Sequence, residues 1–230
     1  MEMQTAALFN HDDAGRITST NDGEPPGIAP RLFLGRTRAG NVWRLRDDLP
    51  NALATELAGV LETEPTATDL RQPPATLARL RDFLTNDGSK ESIYQGPAFQ
   101  FPLELPEAPK VSMIHQSKME LVKEQFLGHY PWLVDEFNIR QPIAAIIRDG
   151  VAVSICFSAR MTSEAAEAGV DTAPDFRGQG FAPQVVSAWA EGVRRLRRVP
   201  LYSTSWDNAA SQRVANKLGL VMYGSDFYLS

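Results

Sequence analysis

The stretch that most limits what this chain can fold into runs from Ala165 to Arg198, AAEAGVDTAPDFRGQGFAPQVVSAWAEGVRRLRR. Its second half places Ala182, Val185, Val186, Trp189, Val193 and Leu196 on one face of an α-helix. Pro183 falls in the first turn, where its missing N–H costs little. The first eight residues, Ala165 to Thr172, are short and rich in small side chains and read as a strand. Between strand and helix lie Gly178 and Gly180. The N–H groups of a helix's first turn are unpaired and carry partial positive charge. Glycine removes the Cβ that would keep a bulky anion away from them. A strand, glycine-rich loop and helix in that order make a phosphate or pyrophosphate cradle. A plain helix-capping turn is the alternative.

The loop fits neither common nucleotide signature. It has no lysine where a Walker loop needs one, and Pro183 stands where a dinucleotide fingerprint needs its third glycine. What stands there is Arg177, Gly178, Gln179, Gly180, Phe181 and Ala182. After the helix comes PLYSTSW, a strand-like run, and then DNAASQRVANKLGLVMYG. In this second segment Asn208 is placed to cap a helix and Gly219 to stop it.

These two segments, in this order, resemble the acyl-CoA loop and the second signature of the GNAT superfamily of N-acyltransferases. Asn208, Ser211, Lys217, Leu218 and Gly219 stand where the second pattern wants them. The resemblance covers roughly residues 117–230. It implies a mixed α/β (α+β) fold, with a mostly antiparallel central sheet flanked by helices. It implies acetyl-CoA as co-substrate, no metal, and direct attack by an amine in a ternary complex. It places Val170 and Thr172 against the pantetheine arm through their backbone, residues 177–182 around the pyrophosphate, and Asn208 and Ser211 in the same cleft. Within the superfamily, the two stretches look most like a bacterial branch that includes a zwittermicin-resistance acetyltransferase. That suggests a small-molecule amine as acceptor and a cytoplasmic, bacterial enzyme; a homodimer is its expected assembly. A protein-modifying acetyltransferase and an acyl-CoA-binding regulator without turnover remain as alternatives.

An amine attacks only when unprotonated, so a base must take its proton, and the leaving thiolate must receive one. Glu167, in the strand leading to the cradle, is the first candidate base; a structural pairing with Arg160 is its other reading. Glu164 and Asp171 follow it. Many members of the superfamily carry a tyrosine as thiolate donor four residues before the closing glycine. Here that position is Ala215, and Tyr223 is the candidate substitute. Gly169 suggests a β-bulge that parts two parallel strands, and Ser203, Thr204 and Ser205 are expected to line the opening.

The remainder of the chain sets bounds. With 43% apolar residues among 230 it can bury a core. A net charge of −5 gives no reason to expect nucleic acid. No apolar run is long enough for a membrane span, and a single cysteine fits a reducing compartment. Cys156 reads as packing, and His11, His115 and His129 show no metal-ligand spacing. Residues 1–30 are polar, with a loose tip expected; residues 1–110 read as a smaller α/β region that roofs the acceptor site, and 111–230 as the catalytic domain. A hairpin turning at Ala39 to Asn41, helices from Pro50 to Glu64 and from Pro74 to Gly88, and a hairpin at Asp149-Gly150 complete the expected elements.

Overall fold

A computed structural model describes residues 1–23, 25–84, 92–115, 117 and 119–230. In chain order the elements are α1 (Glu2–Leu8), β1 (Phe9–His11), β2 (Ile17–Thr20), β3 (Leu32–Thr37), β4 (Gly40–Leu45), α2 (Asn51–Leu61), α3 (Leu77–Leu84), β5 (Ile93–Gln100) and β6 (Ser112–Ile114). They continue with α4 (Met119–Phe126), α5 (Pro131–Asp135), β7 (Ile143–Arg148), β8 (Val151–Met161), β9 (Ala165–Thr172), α6 (Phe181–Arg195), β10 (Val199–Ser203), α7 (Ala209–Lys217) and β11 (Val221–Leu229).

Among the described residues nine strands form one sheet in the order β4-β3-β11-β5-β10-β9-β8-β7-β6, while β1 and β2 pair separately. Every neighbouring pair in the large sheet is antiparallel except β10 with β9. The sheet runs without a break across residue 110, because β5 lies between β11 and β10. Residues on alternate sides of the strands face different helices. Ala144, Cys156, Ala166, Phe99 and Tyr202 pack against Val185, Val186, Trp189 and Val193 of α6 and Val214, Ala215 and Leu218 of the α7 region. Ile143, Ala145 and Ile155 meet Phe126, Leu133 and Phe137 from α4, α5 and the turn after them. At the far end, Leu34 and Phe227 pack on Leu57 and Leu61 of α2 and Leu80 and Leu84 of α3. Phe33 and Tyr228, pointing the other way, meet Leu8 and Phe9.

The expected elements are present with three corrections. The N-terminus is not loose: Gln4, Thr5, Ala7 and Leu8 of α1 are buried, and Ala7 packs with Ala165 and Leu201 on the sheet. Its polar composition reflects the buried hydrogen bonds described below. The first hairpin turns one residue earlier than expected, since Thr37 pairs with Gly40, and the second has Asp149 and Gly150 both at positive φ as a tight turn requires. The bulge lies in β8, not at Gly169. The β8–β9 register slips at Ala159, between Ser158↔Ala168 and Arg160↔Glu167. Gly169 makes room instead for the Phe157 ring, which an added Cβ would meet at 2.5 Å. The stop expected at Asn86–Gly88 for α3 lies outside the described residues.

Candidate active site

The parallel strands β9 and β10 pair only as far as Glu167↔Leu201. Beyond that point β9 keeps its bonds to β8, with Cys156↔Val170 and Ser154↔Thr172, while β10 stays with β5 through Ser203↔Ala98. The two strands therefore part, and the β9 edge from Ala168 onward carries backbone groups with no strand partner on that side. A cleft of about 660 Å³ opens there. Ala168, Val170 and Thr172 form one wall, Tyr202, Ser203 and Thr204 the other; the loop from Phe176 to Gly180 and the starts of α6 and α7 close it.

The end of the cleft at α6 presents an uncapped helix start with cations nearby. Gly178 and Gly180 both have φ +78°, and a Cβ on either would meet no atom within 4 Å. They are needed for backbone conformation, and they leave open space where a ligand would approach. Gly180 caps α6 with no side-chain bond, so the first-turn N–H groups of this fifteen-residue helix have no such partner. Arg177 donates from Nε to the Thr172 carbonyl at 3.0 Å and holds its guanidinium 4.0 Å from Asp171. Arg213 and Lys217 of α7 bring two more cations to the lining. Nothing in the second signature pointed to Arg213; its place one turn before Lys217 on an exposed helix face was the available signal. Of the ten residues expected to bind the cofactor, nine line the cleft, and Gln179 does not. Gln179 bonds the Asp175 carbonyl at 3.4 Å. Asn208 accepts the Ser211 N–H at 3.0 Å, as a helix cap does, and the Thr172 hydroxyl is shared with Ser154 at 2.8 Å.

At the fork itself stands Glu167, 3% exposed. Its Oε2 takes a hydrogen bond from Arg160 at 3.0 Å, and its Oε1 accepts from the Ser203 hydroxyl, which borders the cleft. Both readings of Glu167 therefore have a structural basis: it pairs with Arg160 and it reaches the fork. Burial alone would lower the Arg160 pKa, but the Glu167 carboxylate holds it above its ordinary value. Glu164 is exposed in the turn before β9, and Asp171 lies on the cleft wall beside Arg177.

The GNAT acetyltransferase family profile matches residues 103–224, more than half of the chain. The chain belongs to the GNAT acetyltransferase family. Among solved structures it is similar to a GNAT-family acetyltransferase from Colwellia psychrerythraea, at 13% identity over 82% of this chain and 76% of that one, with a TM-score of 0.51. It is also similar to a GCN5-related N-acetyltransferase-like protein from Streptococcus suis, at 18% identity, 88% and 85% coverage and a TM-score of 0.48. A GNAT-family structure from Novosphingobium aromaticivorans shares 18% identity over 60% of this chain, which spans 64% of that one, less than two thirds of its length, with a TM-score of 0.47. At such identities the Colwellia likeness shows the fold alone. A search of curated proteins finds no match in sequence.

In this GNAT acetyltransferase the face of the sheet opposite the cleft carries a second polar group that the sequence did not announce. Gln4 of α1 donates to Asp226 Oδ2 at 2.5 Å and accepts from the Tyr223 hydroxyl. Asp226 is fully buried; burial, and then the Glu167 charge, push its carboxyl well above the usual carboxylate range. Tyr94 and Tyr228 stack beside it, with ring centroids 4.7 Å apart. Tyr223 belongs to this group and is not among the cleft residues, and burial raises its phenol pKa. Ala215, at the position of the family's tyrosine, is fully buried on the inner side of α7. Cys156 is buried in the α6 core, which pushes its thiol up. Of the RRLRR cations, Arg194 bonds the carbonyls of Pro102 and Leu103 and ties down the segment before β6. Among the described residues no three His, Cys, Asp or Glu side chains converge as metal ligands, and no helix is long and apolar enough to cross a membrane.

Proposed function

We propose that this protein transfers the acetyl group of acetyl-CoA to a primary amine of a small molecule, by direct attack with both substrates bound. One observation carries the reading: the cleft joins an anion-holding helix start to a buried carboxylate at the fork of β9 and β10. A CoA-sized co-substrate fits this donor set. Its pyrophosphate would meet the N–H groups of residues 178–182 with Arg177, Arg213 and Lys217 nearby. Its extended arm would pair with the open edge of β9 at Val170 and Thr172, and Asn208 and Ser211 would flank it. The reacting carbonyl then falls near Ser203, and the amine on the Glu167 side takes its place within reach of a base acting directly or through water.

The acceptor would enter from the face covered by α1. Gln4 roofs that face; Asp226 beneath it is buried and Tyr228 half-buried. In this reading residues 1–110 act as the roof of the acceptor site and Tyr223 lines it. A closed, tyrosine-walled acceptor face suits a small amine metabolite or antibiotic better than a protein lysine, in keeping with the resemblance to the zwittermicin-resistance branch.

Ala215 favours a second reading, an acyl-CoA-binding regulator without turnover. Mass-spectrometric screening of a broad panel of primary amines with acetyl-CoA decides between the two. Acetylated products are expected from small, cationic amines. Tight acetyl-CoA binding with no product across the panel would replace the enzyme with the regulator.

A further inference from the structure

With Ala215 in the tyrosine position, α7 has no phenol to offer, yet a phenol stands at the same place from another element. Tyr202 of β10 is 1% exposed, and it lies on the cleft lining. Its hydroxyl is 3.3 Å from the Ser211 carbonyl and 2.7 Å from Ser211 Oγ. In an α-helix the carbonyl of residue 211 accepts the N–H of residue 215, so the phenol oxygen sits on the very turn that carries Ala215. Helical Cβ atoms tilt toward the N-terminus. A large side chain at 215 would therefore run back over Ser211, into the volume that Tyr202 fills together with Phe99 and Phe101.

We propose that Tyr202 is the proton donor to the leaving sulfur, supplied from β10 in place of α7. The proposal rests on the acetyl-transfer reading above. Leu201 is the last residue of β10 to pair with β9, so Tyr202 is the first beyond the fork. Adjacent strand residues face opposite ways: Ser203 turns to Glu167, and Tyr202 turns to α7 and the cleft. Base and acid thus flank the fork from its two sides. Tyr223 stands across the sheet against Gln4. Burial holds the Tyr202 phenol at about 12, so it carries its proton at neutral pH, while the Ser211 hydroxyl bond works the other way.

The step balances. The amine nitrogen bonds to the acetyl carbon and gives its proton to Glu167 or to water. The C–S bond breaks with its electron pair on sulfur, and the Tyr202 hydroxyl proton passes to that sulfur. Tyr202 then recovers a proton through the hydroxyl of Ser211, a half-exposed residue.

The test compares Tyr202→Phe, Tyr223→Phe and the double variant Tyr202→Ala with Ala215→Tyr, which returns the phenol to α7. Tyr202→Phe should lower kcat by about 10²-fold with KM for acetyl-CoA nearly unchanged. The double variant should recover part of that loss, and Tyr223→Phe should leave the binding of CoA unchanged. Calorimetry gives a readout independent of turnover. The wild type should bind CoA more tightly than desulfo-CoA, and Tyr202→Phe should erase that difference. A purely structural role would weaken both ligands equally and would overturn the proposal, as would an unchanged kcat with the sulfur preference intact. If the wild type acetylates no amine, the acetyl-transfer reading fails by itself. The CoA and desulfo-CoA comparison then still decides whether Tyr202 meets the sulfur, and equal affinities in the wild type overturn it.

Discussion

The two faces of the sheet at the β9–β10 fork are built in opposite ways. The cleft face is hollow and local. Most of its wall comes from two short segments, residues 168–183 and 202–217, and its glycines border open space. The α1 face is covered and non-local. Gln4, Tyr94, Arg160, Glu167, Tyr223, Asp226 and Tyr228 come from five separate elements, and bonds between them span more than 200 residues of sequence. The proposed function reads this difference as a division of labour. A surface that binds one invariant co-substrate can be assembled from a contiguous motif. The surface proposed to select the acceptor draws on the whole chain.

On that reading, substitutions on the α1 face change turnover or stability and leave CoA binding alone, and substitutions in the glycine loop of the cleft face do the reverse. The largest effect is expected from Glu167→Gln, which keeps the shape and removes the basicity. Turnover with a confirmed amine should fall by about 10²-fold or more at neutral pH, the usual cost of losing a general base. CoA affinity by calorimetry should stay level. A rate within about twofold of wild type would assign Glu167 to the Arg160 pair alone. Next comes Gln4→Ala, which strips partners from the buried Asp226 and Tyr223 at once. A loss of about 1–3 kcal/mol in denaturant unfolding is expected, the cost of a buried polar group left unpaired. Unaltered stability would mean that α1 does not seal this face.

Gly180→Val sharpens the other side. The residue has φ +78°, so a β-branched side chain is strained there, and its Cβ would enter the space left for the anion. Calorimetric CoA affinity should fall by about tenfold, equivalent to about 1.4 kcal/mol, with a modest drop in melting temperature from the strain. Unchanged affinity would remove the loop from the binding site.

The same contrast explains what was legible in the sequence. Gly178, Gly180, the α6 stripe and Asn208 announce themselves because a helix start and its cap are read from neighbours three or four residues away. The Asp149-Gly150 hairpin was visible for the same reason. Gln4 gave no such sign. A glutamine in a seven-residue helix looks solvated until its partners, 219 and 222 positions away, are brought to it. The position of β5 between β11 and β10 was equally hidden, since strand order depends on long-range pairing that alternation does not encode. Glycine is the usual local mark of a bulge, so the sequence points to Gly169. The bulge lies at Ala159, where Arg140 from before β7 bonds the extra carbonyl. In sequence Tyr202 is only part of a β-like run, because the role proposed for it depends on its distance to α7.

The smallest predicted effect is a slope. Asp226 has a carboxyl held well above its ordinary value, first by complete burial and then by the charge on Glu167. A carboxyl raised in the folded state binds its proton more tightly there than in the unfolded chain. It therefore favours folding at low pH, and that contribution is lost as pH rises above the unfolded value of about 3.9 toward the folded one. Asp226→Asn removes the titration and keeps an oxygen to accept from Gln4. The melting temperature of the wild type should fall relative to this variant as pH increases from about 4 upward, with CoA affinity equal in both. Because Glu167 contributes to the shift, the slope should shrink in a Glu167→Gln background, which ties Asp226 to the fork across the α1 face. A gap between wild type and Asp226→Asn that does not change with pH would mean that Asp226 is already ionised, and the coupling to Glu167 would go with it.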